Sequence, residues 1–304
     1  MKIETLTIMA ILTIAHLTVA EETKPKRQGR VYPPDLKGAK VEVYKTIGDV
    51  KLNMYIFTPA NHKPSDKVPA IVFFFGGGWR SGTPQQFEQH CRLLASRGMV
   101  AMTADYRVSS RHETKAVVCV ADAKSAVRWV RANANRLGVD PDRVAAGGGS
   151  AGGHIAACTG VVKQFDDSTE DSSISSVPNA MVLFNPALVL SAIEGKQPLD
   201  EKRMAGLPER TGVDPIEISP YHHVSKGAPP TIIFHGIADA TVPYWTTEKF
   251  AAAMTKAGNN CELYGFEDQE HGFFNYGRGD NKMFNATTKK MDEFLVQLGY
   301  LNKN

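Results

Sequence analysis

A chain of 304 residues with 42% hydrophobic content has enough apolar material for one large core. Its 35 Lys and Arg against 32 Asp and Glu leave a formal charge of +3, small for this length, and the basic residues are scattered among acids rather than gathered in a stripe. That pattern argues against nucleic acid as a partner.

Residues 1–20 open with Lys2, run through Ile8, Met9, Ala10, Ile11, Leu12, Ile14 and Leu17, and end in Thr18-Val19-Ala20. They read as a secretory signal peptide, followed by one domain over residues 21–304 and a secreted or periplasmic location. A membrane anchor is the weaker reading, because the apolar run is short and broken by Thr and His16. Residues 41–44 and 51–57 alternate apolar and polar positions around Gly48-Asp49, as an antiparallel edge hairpin does. Residues 70–75 form a solid apolar run, the mark of a buried central strand. Residues 85–97 read as helix, 99–104 as strand, and 113–137 as one long helix with Val117, Val120, Val127 and Val130 on one face. After the turn signal Asp140-Pro141-Asp142 comes a short strand, 143–146, and then helix around 154–158. Residues 163–176 are a polar loop. Strands at 180–184, 231–234 and 261–266 and helices at 244–257 and 281–298 complete the alternation. The expected fold is α/β, a mostly parallel central sheet with helices on both faces. Residues 187–221, mixing Pro, Gly and short apolar clusters, read as a small inserted cap above the sheet.

Between the short strand at 143–146 and the helix that follows lies Gly147-Gly148-Gly149-Ser150-Ala151-Gly152-Gly153-His154, with Ser150 at the G-x-S-x-G spacing of a nucleophile elbow. Such a turn strains the serine backbone, and side chains at Gly148 and Gly152 would collide with the adjoining strand and helix. A phosphate-cradling loop is the competing reading. It lacks the Lys-Ser/Thr pair of a P-loop and lies mid-chain rather than after a first strand. Among nine histidines, His271 best fits a general base, because it follows the last strand on a loop. His154, His222, His223 and His235 have plainer readings as packed or solvated residues. Asp239, just after the strand at 231–234, is the acid expected to orient that imidazole, with Asp268 as runner-up. The glycine loop Gly76-Gly77-Gly78-Trp79 follows the strongest apolar strand. Backbone N–H groups of Gly77, Gly78 and Ala151 are the expected oxyanion donors. Trp79 beside them could wall the acyl side, stack on a sugar face, or simply pack in the core.

Cys91, Cys119, Cys158 and Cys261 are widely spaced, which argues against a metal site. One disulfide, with Cys91 and Cys119 as candidates, and four buried free thiols both fit the sequence.

The segments Gly76-Gly77-Gly78-Trp79, Asp105-Tyr106-Arg107, Ala126-Val127-Arg128-Trp129-Val130, Gly148-Gly149-Ser150-Ala151-Gly152, His235-Gly236-Ile237-Ala238-Asp239 and His271-Gly272-Phe273-Phe274 together resemble one family. It is that of the α/β-hydrolase fold carboxylesterases of the hormone-sensitive-lipase and acetyl-esterase type, including bacterial acetyl xylan and feruloyl esterases. The resemblance runs from about Val41 to the C-terminus. It implies a serine esterase working through Ser150, His271 and Asp239 with no metal or organic cofactor, and it implies structural roles for Asp105, Tyr106, Arg107 and Asp122. One departure is Phe75, where the family usually has a histidine that steadies the glycine loop by hydrogen bonding. The leader, Trp79 and the small insertion together predict short acyl esters, acetyl groups on plant-type polysaccharide above all. A serine peptidase of the same fold and a non-catalytic binding protein on it are the alternatives.

Overall fold

In the computed structural model residues 31–303 are described. The predicted leader, residues 1–20, lies outside them. Residues 40–57 fold as β1 (Lys40–Ile47) and β2 (Val50–Phe57), an antiparallel hairpin turning at Gly48. The solid apolar run becomes β3 (Val68–Phe74), which lies between β4 (Val100–Ala104) and β5 (Val139–Gly149) and pairs parallel with both. With β6 (Ala180–Phe184), β7 (Thr231–Gly236) and β8 (Cys261–Phe266) the sheet runs β1-β2-β4-β3-β5-β6-β7-β8, and only β2 opposes its neighbours.

The central strands are apolar at nearly every position because both faces are covered, yet the period of two persists underneath. Ala70, Val72 and Phe74 face one core, while Ile71 and Phe73 face the other. The first core is closed by α3 (Ala116–Ala132), α5 (Ala151–Val161) and α8 (Tyr244–Lys256), the second by α1 (Glu88–Ser96) and α9 (Lys282–Gln297). Side chains such as Ile71 and Phe73 are wholly buried, and each contributes roughly 1.5–3 kcal/mol of transfer free energy.

Cys91 packs in the second core and Cys119 in the first, so the sheet separates them and the candidate disulfide cannot form; all four cysteines are free. Burial pushes the Cys261 thiol up to about 12, and the Cys119 and Cys158 thiols higher still. The helix expected over 113–137 is two pieces, α3, which starts only at Ala116, and α4 (Ala134–Leu137), with a separate short helix, α2 (Ser109–His112), before them. Glu113 takes a left-handed conformation (φ 51°) that ends α2, and Asn133 (φ −100°, ψ 10°) breaks the helical path between α3 and α4. The helix expected from residue 85 begins as a 3₁₀ turn, Pro84–Phe87, because Phe87 (φ −102°, ψ 9°) is not helical. The Asp140-Pro141-Asp142 turn lies within β5 as a bulge, between Val139 paired with Val68 and Val144 paired with Ala70.

The insertion carries α6 (Glu201–Ala205), capped by the Asp200 carboxylate on the Arg203 N–H, and α7 (Leu207–Thr211). The 3₁₀ turns Pro215–Ile218 and Pro220–His223 follow. Leu188, Val189, Leu190, Leu207 and Ile218 are buried, and all but Val189 belong to the first core, so the segment packs onto the main domain. No helix among the described residues is long and apolar enough to cross a membrane.

Candidate active site

Strand β5 passes directly into α5, and Ser150 is the residue at the corner. Its backbone (φ 54°, ψ −120°) lies where non-glycine residues are strained. Two backbone bonds hold the corner: the Ser150 N–H donates to Phe184 O at 2.9 Å, and the His154 N–H donates to Ser150 O at 2.9 Å. The turn is so tight that a Cβ at Gly152 would sit 2.0 Å from Phe74 O and 2.4 Å from Phe75 O. Gly152→Ala is therefore expected to cost at least about 3 kcal/mol through overpacking against rigid backbone, read as a fall in Tm or loss of soluble protein; a variant as stable as the parent would contradict this packing.

From the ends of β7 and β8, both on the β6 side of this corner, come a carboxylate and an imidazole. The loop after β8 brings His271 Nε2 to 2.9 Å from Ser150 Oγ, and His271 Nδ1 lies 2.6 Å from Asp239 Oδ2, on the loop after β7. Asp239 Oδ1 accepts from the Thr241 and Val242 N–H groups at 2.8 and 2.9 Å. Burial pushes the Asp239 pKa up, but hydrogen bonds from His235, His271 and Val242 outweigh it and hold the group well below the usual carboxylate range. A fixed anion against Nδ1 sets the tautomer that leaves Nε2 free to accept the serine proton. Asp268, the other carboxylate considered, is exposed on its loop and has no contact with the imidazole.

Ala151 is the first residue of α5, so its N–H has no acceptor inside the helix. It lines a pocket of about 90 Å³ together with Ser150, Gly78 and Trp79, whereas Gly77 lines a wider groove next to it. A Cβ at Gly77 (φ 134°) would lie 2.0 Å from Ser81 O, so this turn of the glycine loop admits no other residue. Insertion residues Val189, Leu190, Leu199 and Leu207, with Val242 and Pro243, make the pocket wall apolar.

The loop is anchored without the family's histidine. The Gly76 N–H donates to Gln86 Oε1 at 2.6 Å, and Gln86 Nε2 donates to Asn275 Oδ1 at 2.8 Å, which ties the glycine loop to the His271 loop. Phe75 stacks on Tyr106 at 4.1 Å between centroids, and Tyr106 Oη donates to Phe75 O at 2.6 Å. Asp122, wholly buried, takes the Arg107 guanidinium at 2.7 and 2.9 Å, and Asp105 accepts the Tyr106 N–H at 3.0 Å.

Trp79 is 6% exposed, and its indole Nε1 donates to His154 Nδ1 at 3.1 Å. Burial lowers the His154 pKa to about 4 despite the Ile218 carbonyl, leaving the ring neutral, with the Nε2–H donating to Ile218 O at 2.6 Å. So placed, Trp79 borders the pocket as a wall linked to the insertion, and its ring is too covered to serve as a stacking platform.

Three supporting residues gave little sequence signal. His235 is wholly buried, with Nε2 2.8 Å from Val242 O and 3.3 Å from Asp239 Oδ2; its place four residues before Asp239 is the one clue. Asn185, buried at φ 34° just past β6, accepts the Gly272 N–H at 3.0 Å, and Arg278 Nη1 donates to His271 O at 2.6 Å. Both brace the His271 loop through backbone contacts that side-chain pattern does not encode. His222 and His223 bond within the insertion, to Ser219 Oγ and Ile216 O.

The BD-FAE family model matches residues 54–254, about two thirds of the chain. The chain belongs to the BD-FAE family. Among solved structures, this BD-FAE chain is 55% identical to Thermogutta terrifontis esterase 2 phosphonylated by sarin, over 90% of its own length and 100% of that chain, with a TM-score of 0.88. Its propionate-bound form matches at 55% identity, 90% and 99% coverage and a TM-score of 0.85. Esterase LipC of Mycobacterium tuberculosis is 27% identical over 63% of this chain and 49% of that protein. The probable isoprenylcysteine alpha-carbonyl methylesterase ICMEL1 of Arabidopsis thaliana is 27% identical over 67% and 45%. The chain thus spans about half the length of these curated relatives. The BD-FAE chain has the α/β-hydrolase fold that the resemblance implied, its eight-stranded, mostly parallel sheet matching those esterase structures.

Proposed function

We propose that this chain is a serine carboxylesterase acting on short acyl esters. The observation that carries the reading is the continuous chain of contacts from Ser150 Oγ through His271 to Asp239, at 2.9 and 2.6 Å, in a member of a family whose named relatives are esterases. His271 Nε2 takes the Ser150 proton as Oγ attacks the ester carbonyl, and Asp239 stabilises the imidazolium that forms. The N–H groups of Gly77, Gly78 and Ala151 hold the oxyanion, with the positive end of α5 behind them. His271 then protonates the leaving alcohol, and an acyl-Ser150 intermediate remains. Water deprotonated by His271 releases the acid and restores the serine.

The small apolar pocket supports an acyl group of few carbons, since a space of about 90 Å³ is far below the usual range for drug-sized ligands. The propionate- and butyrate-bound forms of the Thermogutta enzyme support the same size class. Export after removal of residues 1–20, and acetylated plant polysaccharide such as xylan as the natural substrate, complete the proposal; the sequence of the leader and the family resemblance support them.

An acyl-chain series of p-nitrophenyl esters tests the reading. Acetyl to butyryl esters are expected to exceed decanoyl by at least about tenfold in kcat/KM, with acetate released from acetylated xylan and no turnover of aminoacyl nitroanilides. Preference for decanoyl without acetate release would defeat the short-acyl and carbohydrate reading, and faster nitroanilide cleavage would make the chain a peptidase.

A further inference from the structure

Beside the nucleophile pocket opens a much larger groove, about 890 Å³, walled by the glycine loop, residues 109–115 and α7. Gly78, Trp79 and Arg210 line both spaces, so groove and pocket meet at these three residues. If the apolar pocket holds the acyl group, the groove is where the other half of the ester lies, and its size suits a sugar or an aromatic alcohol.

The groove is not electrically neutral. Arg80, Lys115 and Arg210 line it against Glu113 and Glu209, three cations to two carboxylates. Lys115 is paired with Glu209 at 3.4 Å, but both are exposed and such a pair is weak. Among the described residues no carboxylate pairs with Arg80 or Arg210. Arg210 is instead held at the junction, its guanidinium 5.3 Å over the Trp79 ring and Nη2 3.3 Å from Gly78 O. Partial burial, then the like charges of Arg203 and Arg80, lower the Arg210 pKa from its ordinary value. Arg203 lines the nucleophile pocket as well, and its nearest carboxylate, Asp200, is 3.7 Å away. Arg80 and Arg210 thus set guanidinium groups without a carboxylate partner beside a reactive serine, and such a planar fork matches a carboxylate.

We propose that this groove is the subsite for the alcohol part of the ester, and that Arg210, assisted by Arg80, recognises a carboxylate carried on that alcohol part. The assignment rests on the esterase reading above. The excess of one positive charge suits a monoanion, while Glu113 and Glu209 oppose a dianionic phosphate.

The test compares benzyl acetate with 4-(acetoxymethyl)benzoate, which share the acyl group and differ by a carboxylate remote from the reacting carbon. The readout is the ratio of kcat/KM for the anionic ester over the neutral one. The parent enzyme is expected to favour the anionic ester; Arg210→Gln should lower the ratio about five- to tenfold and Arg80→Gln about twofold, and about 0.5 M salt should move the parent ratio the same way. Because Arg210 also touches Gly78, its replacement can slow both esters, and the ratio separates recognition from loop damage. Arg80 is exposed, so its variant tests the charge with the fold undisturbed. A parent ratio at or below one, a ratio that neither substitution changes, or a preference for the matching phosphate ester would overturn the proposal. Turnover of benzyl acetate without charge preference removes the subsite alone, whereas no turnover of either ester removes the esterase reading with it.

Discussion

Ser150→Ala is expected to lower ester hydrolysis by on the order of 10⁴- to 10⁶-fold while leaving the fold intact. Among the described residues the serine hydroxyl's one side-chain partner is His271, and the strained corner is held by backbone bonds to Phe184 and His154 that alanine keeps. Alanine also has the same Cβ, so the cost of positive φ is nearly unchanged. Steady-state rates on p-nitrophenyl acetate and a thermal melt check both halves of the statement. A variant that melts like the parent and still turns over would remove Ser150 from the chemistry.

His271→Ala should cost about as much as loss of the serine, because nucleophile and base act as a unit. Asp239→Asn should cost up to about 10⁴-fold in kcat: the amide keeps the shape but loses the charge that holds His271 Nδ1, and it must also satisfy the Thr241 and Val242 N–H groups and His235. Asp268→Asn, on an exposed loop position, should stay within about twofold of the parent, as most surface substitutions do. Greater damage from Asp268→Asn than from Asp239→Asn, read as kcat/KM on the same ester, would reverse the assignment of the acid.

The parts legible in the sequence are those set by period, punctuation and spacing. Strands β6 and β8 fall at the residues where apolar runs predicted them, and the G-x-S-x-G spacing located the corner at Ser150, because only glycine fits where β5, α5 and β3 meet. The late start of the long helix at Ala116 and its break at Asn133 leave no mark in the sequence, since residues 113–137 keep a continuous apolar face and the backbone turns at Glu113 and Asn133 have no glycine or proline to announce them. The separation of Cys91 from Cys119 depends on which face of the sheet each helix covers, a long-range fact of topology. Gln86 and Asn275, standing in for the histidine that Phe75 replaces, lie 189 positions apart and meet only in the fold. Arg210 belongs to the same class. It sits in a polar stretch of the insertion, and its meeting with Trp79 depends on how that insertion packs.

The most direct test of the account is reaction of the pure protein with a fluorophosphonate, followed by intact mass and peptide mapping. The reagent mimics the tetrahedral intermediate and is captured by an activated serine, as the sarin-phosphonylated form of Thermogutta terrifontis esterase 2 illustrates for that protein. The account predicts a single adduct on the peptide carrying Ser150, none on Ser150→Ala, and markedly slower labelling of His271→Ala. An adduct on another residue, or equal labelling of the Ser150→Ala protein, would contradict it.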